Sequence, residues 1–171
     1  MKKTLFTLAL VLVSALAINA QSLTGKQWCT MLTDEGGESV AVALTFNNNG
    51  TCELLIAAQQ EMKEDGVPIT LVAGLTVPGT YTRKDKDLRI ALNNAKAEAE
   101  VDYEVKGLGA TAKAALDKEI RPSLKALEGE FKKEMLKNMP KMDNMKIVTL
   151  EKQRLILKDS TGEKMTFYAE K

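Results

Sequence analysis

Gly25-Lys26-Gln27-Trp28 opens a run that continues through Thr30 to Thr33, reads as a first β-strand, and holds the chain's only tryptophan. A ring of that size near the start of a strand-rich chain is best used lying across one end of a closed sheet, so the stretch predicts a β-barrel with Trp28 as its floor. The next segments extend the same pattern.

Val40, Val42, Leu44 and Phe46 alternate inward along a second strand, the two-residue period of a half-buried strand. Asn47-Asn48-Asn49-Gly50 is a hairpin signal, because Asn and Gly tolerate positive φ. It also carries a glycosylation sequon, Asn49-Gly50-Thr51, whose residues the turn already uses. A third strand runs from Thr51 to Ala57 and on toward Met62, and a fourth from Ile69 to Thr76. Pro78-Gly79 is expected to bend the chain into Thr80 to Arg83. Asp34-Glu35-Gly36-Gly37, Glu64-Asp65-Gly66 and Lys84-Asp85-Lys86-Asp87 read as turns. Leu88, Ile90 and Leu92 mark another inward face. Ala97, Ala99, Val101, Tyr103 and Val105 then alternate with Glu98, Glu100, Asp102 and Glu104, the pattern of a sheet with one face solvated.

From about residue 108 to 139 the period becomes helical, with Leu116, Ile120, Leu124, Leu127, Phe131 and Met135 on one stripe. Pro122 lies inside it and predicts either a kink or two helices, with Pro140 as the stop. Strands return at Lys146 to Leu150, Arg154 to Lys158 and Lys164 to Glu170, the last after the Asp159-Ser160-Thr161-Gly162 turn. So many short strands in sequence order favour closure, which removes exposed edges. The expectation is a mainly β, antiparallel up-and-down barrel of roughly eight to ten strands, with an amphipathic helix or helix pair inserted before the last three.

Lys2 and Lys3, the apolar run from Leu5 to Val13, and the small residues Ser14, Ala15, Ala17 and Ala20 predict a secretory signal peptide over 1–20. The apolar run is short of the roughly 20 residues of a membrane span. One exported domain over 21–171, periplasmic or extracellular, is the result. Without Lys2 and Lys3 the chain holds 22 basic against 23 acidic residues, so no global field draws it onto nucleic acid.

The chain has no histidine, which removes Ser-His-Asp and Cys-His nucleophile systems and the commonest zinc ligand. Glu53, Glu61, Glu64 and Asp65 read as solvated strand-end carboxylates. No enzyme, cofactor or metal is expected. The acidic row Glu98 to Glu104 fits a solvated face better than a calcium site, which needs convergent oxygens. Residues 108–141 hold 8 basic and 5 acidic side chains against 8 and 13 in residues 21–107, so the helix is expected to fold back on the sheet. Leu116, Ile120, Leu124 and Phe131 would then cover either its wall or its mouth, in the latter case as a gate. Met135, Met139, Met142 and Met145 are soft copper(I) ligands by type but read as core filler. Cys29 and Cys52 could bridge in an oxidising compartment, although strand parity places Cys29 outward and Cys52 inward.

Gly25 with Trp28, Leu44-Thr45-Phe46 before Asn49-Gly50-Thr51, Gly79-Thr80-Tyr81 before Leu88-Arg89-Ile90, and the closing Gly162 to Phe167 hairpin resemble the small secreted bacterial lipocalin-like (calycin-type) domains. The resemblance implies an arginine stacked over the floor tryptophan, for which Arg154 is the candidate and Arg89 the competitor. It also implies a cup for a small apolar or amphipathic ligand, which strand parity would line with Leu44, Phe46, Leu54, Tyr81, Ile90, Val101, Tyr103 and Phe167. The alternative is a module with a solid core that meets a protein partner through its loops or helix. An aromatic content of 5% leans toward the latter, since ligand pockets are rich in rings.

Overall fold

In the computed structural model, residues 22–33, 39–64, 67–105, 110–139 and 141–170 are described. The expected signal peptide, the turns at 34–37 and 65–66, and Pro140 lie outside them. The described elements are β1 (Gln27–Thr33), β2 (Ser39–Phe46), β3 (Thr51–Glu64), β4 (Val67–Lys84), β5 (Asp87–Leu92), β6 (Glu98–Val105), α1 (Ala110–Asn138), β7 (Met145–Leu150), β8 (Arg154–Lys158) and β9 (Lys164–Ala169). Antiparallel pairing runs from β1 through β2, β3, β4, β5, β7, β8 and β9 and returns to β1, closing an eight-stranded barrel. The helix enters before the last three strands, as its position in the sequence requires.

β6 stands outside the ring and corrects the expected simple meander. It pairs with the first half of β4, from Ile69↔Val105 to Thr76↔Glu98, whereas β5 pairs with the last part, from Gly79↔Leu92 to Lys84↔Asp87. One 18-residue strand therefore carries two successive neighbours along one edge. Pro78-Gly79 marks the changeover and does not bend the chain. Proline has no N–H to offer a neighbour, and at this point there is no strand to receive one. The Pro78 carbonyl instead accepts the Asn93 N–H at 2.8 Å, where the chain passes from β5 to β6. Gly79 is required by crowding, because a Cβ there would lie 2.7 Å from the Ala91 carbonyl oxygen.

Alternate positions of β4 share one face. Leu75 and Val77 belong to the barrel core, while Ile69, Leu71 and Ala73 on the same face meet α1. The helix thus lies on the inward side of the flared β3–β4–β6 strands and not on the outer wall. Leu124 is buried against Val101 and Tyr103, Leu116 and Ile120 pack beside it, and Phe131 touches both this cluster and the barrel core. Met135, Leu136 and Met139 continue onto the barrel, where Met142 and Met145 are buried. All four methionines of the suggested copper set therefore pack against apolar neighbours. Leu127, expected on the stripe, is 40% exposed.

Pro122 sits within one continuous helix, neither kinked into two elements nor capping a second one. Both Pro122 and Lys118, whose carbonyl the ring leaves without its intrahelical donor, face solvent, so water can replace the missing bond.

Trp28, Leu44, Phe46, Leu54, Leu75, Val77, Leu88, Leu155, Leu157 and Phe167 form the barrel core with 0% exposure. Trp28 sits where β1 pairs on one side with Leu44 and on the other with Ala169, at the closure of the ring. Its Nε1–H donates to the Leu23 carbonyl at 2.8 Å, which satisfies the buried donor. The expected arginine does not cover it. Arg154 is exposed and pairs with Glu151 at 3.0 Å. The cation is Lys26, two residues earlier and just before β1 begins, with Nζ 4.8 Å from the ring centroid. The same Nζ donates to the Lys152 carbonyl at 2.9 Å, tying β1 to the β7–β8 turn.

No disulfide joins Cys29 and Cys52, and both thiols are free. Their strand faces oppose, with Cys52 in the core and Cys29 on the outer wall. Burial pushes the Cys52 thiol up to about 11. Burial, followed by the neighbouring Glu170 carboxylate, also raises Cys29.

Phe131 is the side chain that joins the helix to both apolar clusters. Phe131→Asp is expected to lower the melting temperature by roughly 5 °C or more, because a carboxylate replaces packed apolar surface. An unchanged melting curve by circular dichroism would show that the helix is not held by this contact.

Candidate functional site: the groove between β6 and α1

β6 pairs with β4 on one side, and among the described strands nothing pairs with its other edge. Beside that edge α1 packs on the inward residues Val101 and Tyr103. Edge and helix together enclose a groove of about 520 Å³. Its floor is apolar, built from Val101, Tyr103 and Leu124, which are 8%, 5% and 6% exposed. Its rim is charged. Glu100 and Asp102 come from β6, and Asp117, Arg121, Lys125 and Glu128 from α1.

The charged rim follows from helical spacing. Asp117, Arg121 and Lys125 recur every four residues and flank the Leu116–Ile120–Leu124 stripe, so burying the stripe brings them to its border. Four carboxylates face two cations. None of the six forms an ion pair among the described residues. The regional charge difference between helix and sheet is thus not realised as direct salt bridges at this contact.

Tyr103 is the polar centre of the groove. Its hydroxyl donates to Asp117 Oδ1 at 2.6 Å, and its backbone N–H donates to Asp102 Oδ1 at 2.9 Å. The hydrogen bond to Asp117, reinforced by burial, pushes the phenol up to about 12. The phenol therefore stays neutral at ordinary pH, donating to Asp117.

The residues expected to line a barrel cup divide into two sets. Leu44, Phe46, Leu54, Ile90 and Phe167 are in the barrel core. Tyr81 packs beside them at the rim, edge-on to Phe46 with centroids 5.0 Å apart, its hydroxyl donating to the Asn47 carbonyl at 2.9 Å. Val101 and Tyr103 lie outside the ring, under α1, because β6 is not a barrel strand. Leu116, Ile120, Leu124 and Phe131, the expected gate, are brought together over β6 and the first half of β4. Arg89 is exposed on β5, away from Trp28.

The acidic row Glu98, Glu100, Asp102 and Glu104 is exposed along β6. Among the described residues no group of three His, Cys, Asp or Glu side chains is placed to hold a metal ion. No described helix is long and apolar enough to cross a membrane. Sequence reasoning missed Asp117, Arg121, Lys125 and Glu128 as site residues. The available signal was their spacing of four, four and three residues beside the apolar stripe.

No protein-family model matches the chain, and no curated protein is similar to it. The closed antiparallel eight-stranded barrel is compatible with a lipocalin-like fold.

Because Asp117 is the main cause of the Tyr103 shift, Asp117→Ala is expected to return the phenol toward its ordinary value of 10.0. Ultraviolet titration of tyrosinate reads this directly. The fold holds the neutral phenol, so the associated stability is intact below the ordinary pKa and is lost as pH climbs through about 12 in the parent protein. An identical titration curve in the variant would rule out the Tyr103–Asp117 bond as the cause.

Proposed function

We propose that the protein is an exported, non-enzymatic binding module that works from its surface, taking an extended, basic segment of a partner protein along the free edge of β6 under α1. The carrying observation is the pairing of an open strand edge with a helix across an acid-rimmed groove. Extended peptides add to such edges through backbone hydrogen bonds, and neighbouring pockets select their side chains. The apolar floor of Val101, Tyr103 and Leu124 suits one branched side chain, and the excess of carboxylates suits Lys or Arg beside it. Export rests on the pattern of residues 1–20, and the absence of enzymatic activity on the lack of histidine.

Close packing of the barrel core supports this reading over an internal ligand. Ten core side chains, Trp28 and Phe167 among them, have 0% exposure, whereas a ligand site is a pocket on the order of 300 Å³ or more. A second reading keeps a small apolar or amphipathic ligand inside. It is favoured by the position of α1 on the inward face and by the methionines at its C-terminal end, whose flexible side chains repack readily. In that case the helix acts as a gate and must swing away for the ligand to enter.

The test is fluorescence anisotropy with labelled peptides as long as β6, eight residues, varied in charge and in one apolar position, alongside native mass spectrometry of the purified protein. Basic peptides with an apolar anchor are expected to bind, and Glu100→Lys with Glu128→Lys to weaken them by about tenfold. Failure of every basic peptide sinks the surface reading. A co-purified lipid in the same preparation would put the internal ligand in its place.

A further inference from the structure

A second hollow, of about 560 Å³, lies outside the barrel between β5, the start of β7 and the β8–β9 turn. It shares no residue with the β6–α1 groove, and its chemistry is independent of the function proposed there. Its lining includes the cations Arg89, Lys146 and Lys158, the carboxylates Asp87 and Asp159, and the hydroxyl of Ser160.

The charges of this wall are arranged against their own repulsion. Five residues face one another directly across five strands in the order Lys84, Asp87, Lys146, Lys158, Lys164. All point outward, because Leu88, Met145, Leu157 and Met165 next to them point to the core. Two of the contacts, Lys146 with Lys158 and Lys158 with Lys164, set like charges directly opposite, an arrangement that destabilises a sheet. No ion pair relieves it, since the ion pair found among the described residues is Arg154–Glu151.

The two carboxylates of the lining, Asp87 and Asp159, offset two of its three cations and leave an excess of one positive charge. Asp159 is oriented by its own turn. Its Oδ1 accepts the N–H groups of Thr161, Gly162 and Glu163 at 2.9, 2.8 and 2.8 Å, and the Thr161 hydroxyl lies 2.8 Å away. Asp87 stands between two lysines without pairing with either. The Lys158 stem runs beside that turn, its Cε 3.5 Å from where a Cβ at Gly162 would stand. The Ser160 side chain is exposed at the tip of the same turn.

We propose that this hollow binds a phosphate-type oxyanion, held by the ammonium groups of Lys146 and Lys158 and the guanidinium of Arg89, with the Ser160 hydroxyl as a further donor. A multiply charged anion converts the in-register repulsion into attraction, and charge-assisted hydrogen bonds are the strong ones. The size of the hollow admits a diphosphate or a phosphate ester as readily as phosphate itself. Two sources share that chemistry, a free phosphate compound and the headgroup of an anionic phospholipid.

Inorganic pyrophosphate is titrated into the full chain at low ionic strength and followed by amide NMR, with sodium chloride at matched ionic strength as the control. Shifts are expected at Lys146 and across 158–162, and Lys146→Gln with Lys158→Gln should weaken binding by about tenfold or more. The same double variant, without ligand, should melt about 2 °C higher than the parent because the repulsion is gone, and should lose the rise in melting temperature that pyrophosphate gives the parent. Vesicles of phosphatidylcholine with and without phosphatidic acid separate the sources. Binding to pyrophosphate alone assigns a free phosphate compound, and binding to acidic vesicles but not neutral ones assigns the headgroup. Equal responses to chloride and pyrophosphate, shifts scattered over the surface, or a double variant that binds like the parent would each overturn the proposal.

Discussion

A single strand long enough to serve two structures at once is the constraint on which the rest depends. β4 gives one half to the barrel and the other to a flared sheet, and its inward side runs unbroken from one to the other. Because that side is apolar from Ile69 to Val77, the barrel cannot end where its shorter strands end. Ile69, Leu71 and Ala73 would be left in water, together with Val101 and Tyr103 of β6. The helix is the element that covers them. Its partial overlap with the barrel core through Phe131, Met135 and Met139 makes one continuous apolar body of two clusters.

Two surfaces beside the barrel carry opposite charge. The β6 edge is acidic, while the wall from Lys146 to Lys164 is basic. Charges along an open strand edge also guard it against pairing with other copies. The carboxylates of Glu98, Glu100, Asp102 and Glu104 would therefore discourage indiscriminate strand addition while leaving a basic partner welcome.

Much of the barrel could be read from alternation alone. Val40 to Phe46 and Leu88 to Leu92 face inward as their period demands, and the parity that separates Cys29 from Cys52 is borne out by two free thiols. The position of β6 could not be read, because a half-buried strand alternates in the same way whether its inner side faces a barrel core or a helix. Pro78-Gly79 was misleading for a related reason. Its turn chemistry is local, but the lack of a neighbouring acceptor that lets proline sit inside a strand is tertiary. The cation over Trp28 lay closer than the resemblance suggested. Lys26 is only two residues from the tryptophan, in the bend that leads into β1, so the ring is covered by its own chain neighbour and not by a distant arginine.

The ring is completed by β1 and β9, the first and last described strands, which pair at Trp28↔Ala169 and Cys29↔Tyr168, with the Glu170 N–H donating to the Gln27 carbonyl at 2.9 Å beside them. No shorter portion of the polypeptide can close the cylinder, so the indole stays unprotected until nearly the whole chain is present. Folding must bring together residues separated by most of the sequence, and such long-range closure is slow compared with forming helices or hairpins. The growing chain would meanwhile carry two unsatisfied sheet borders, giving it a window of vulnerability to misassembly that the finished molecule does not have.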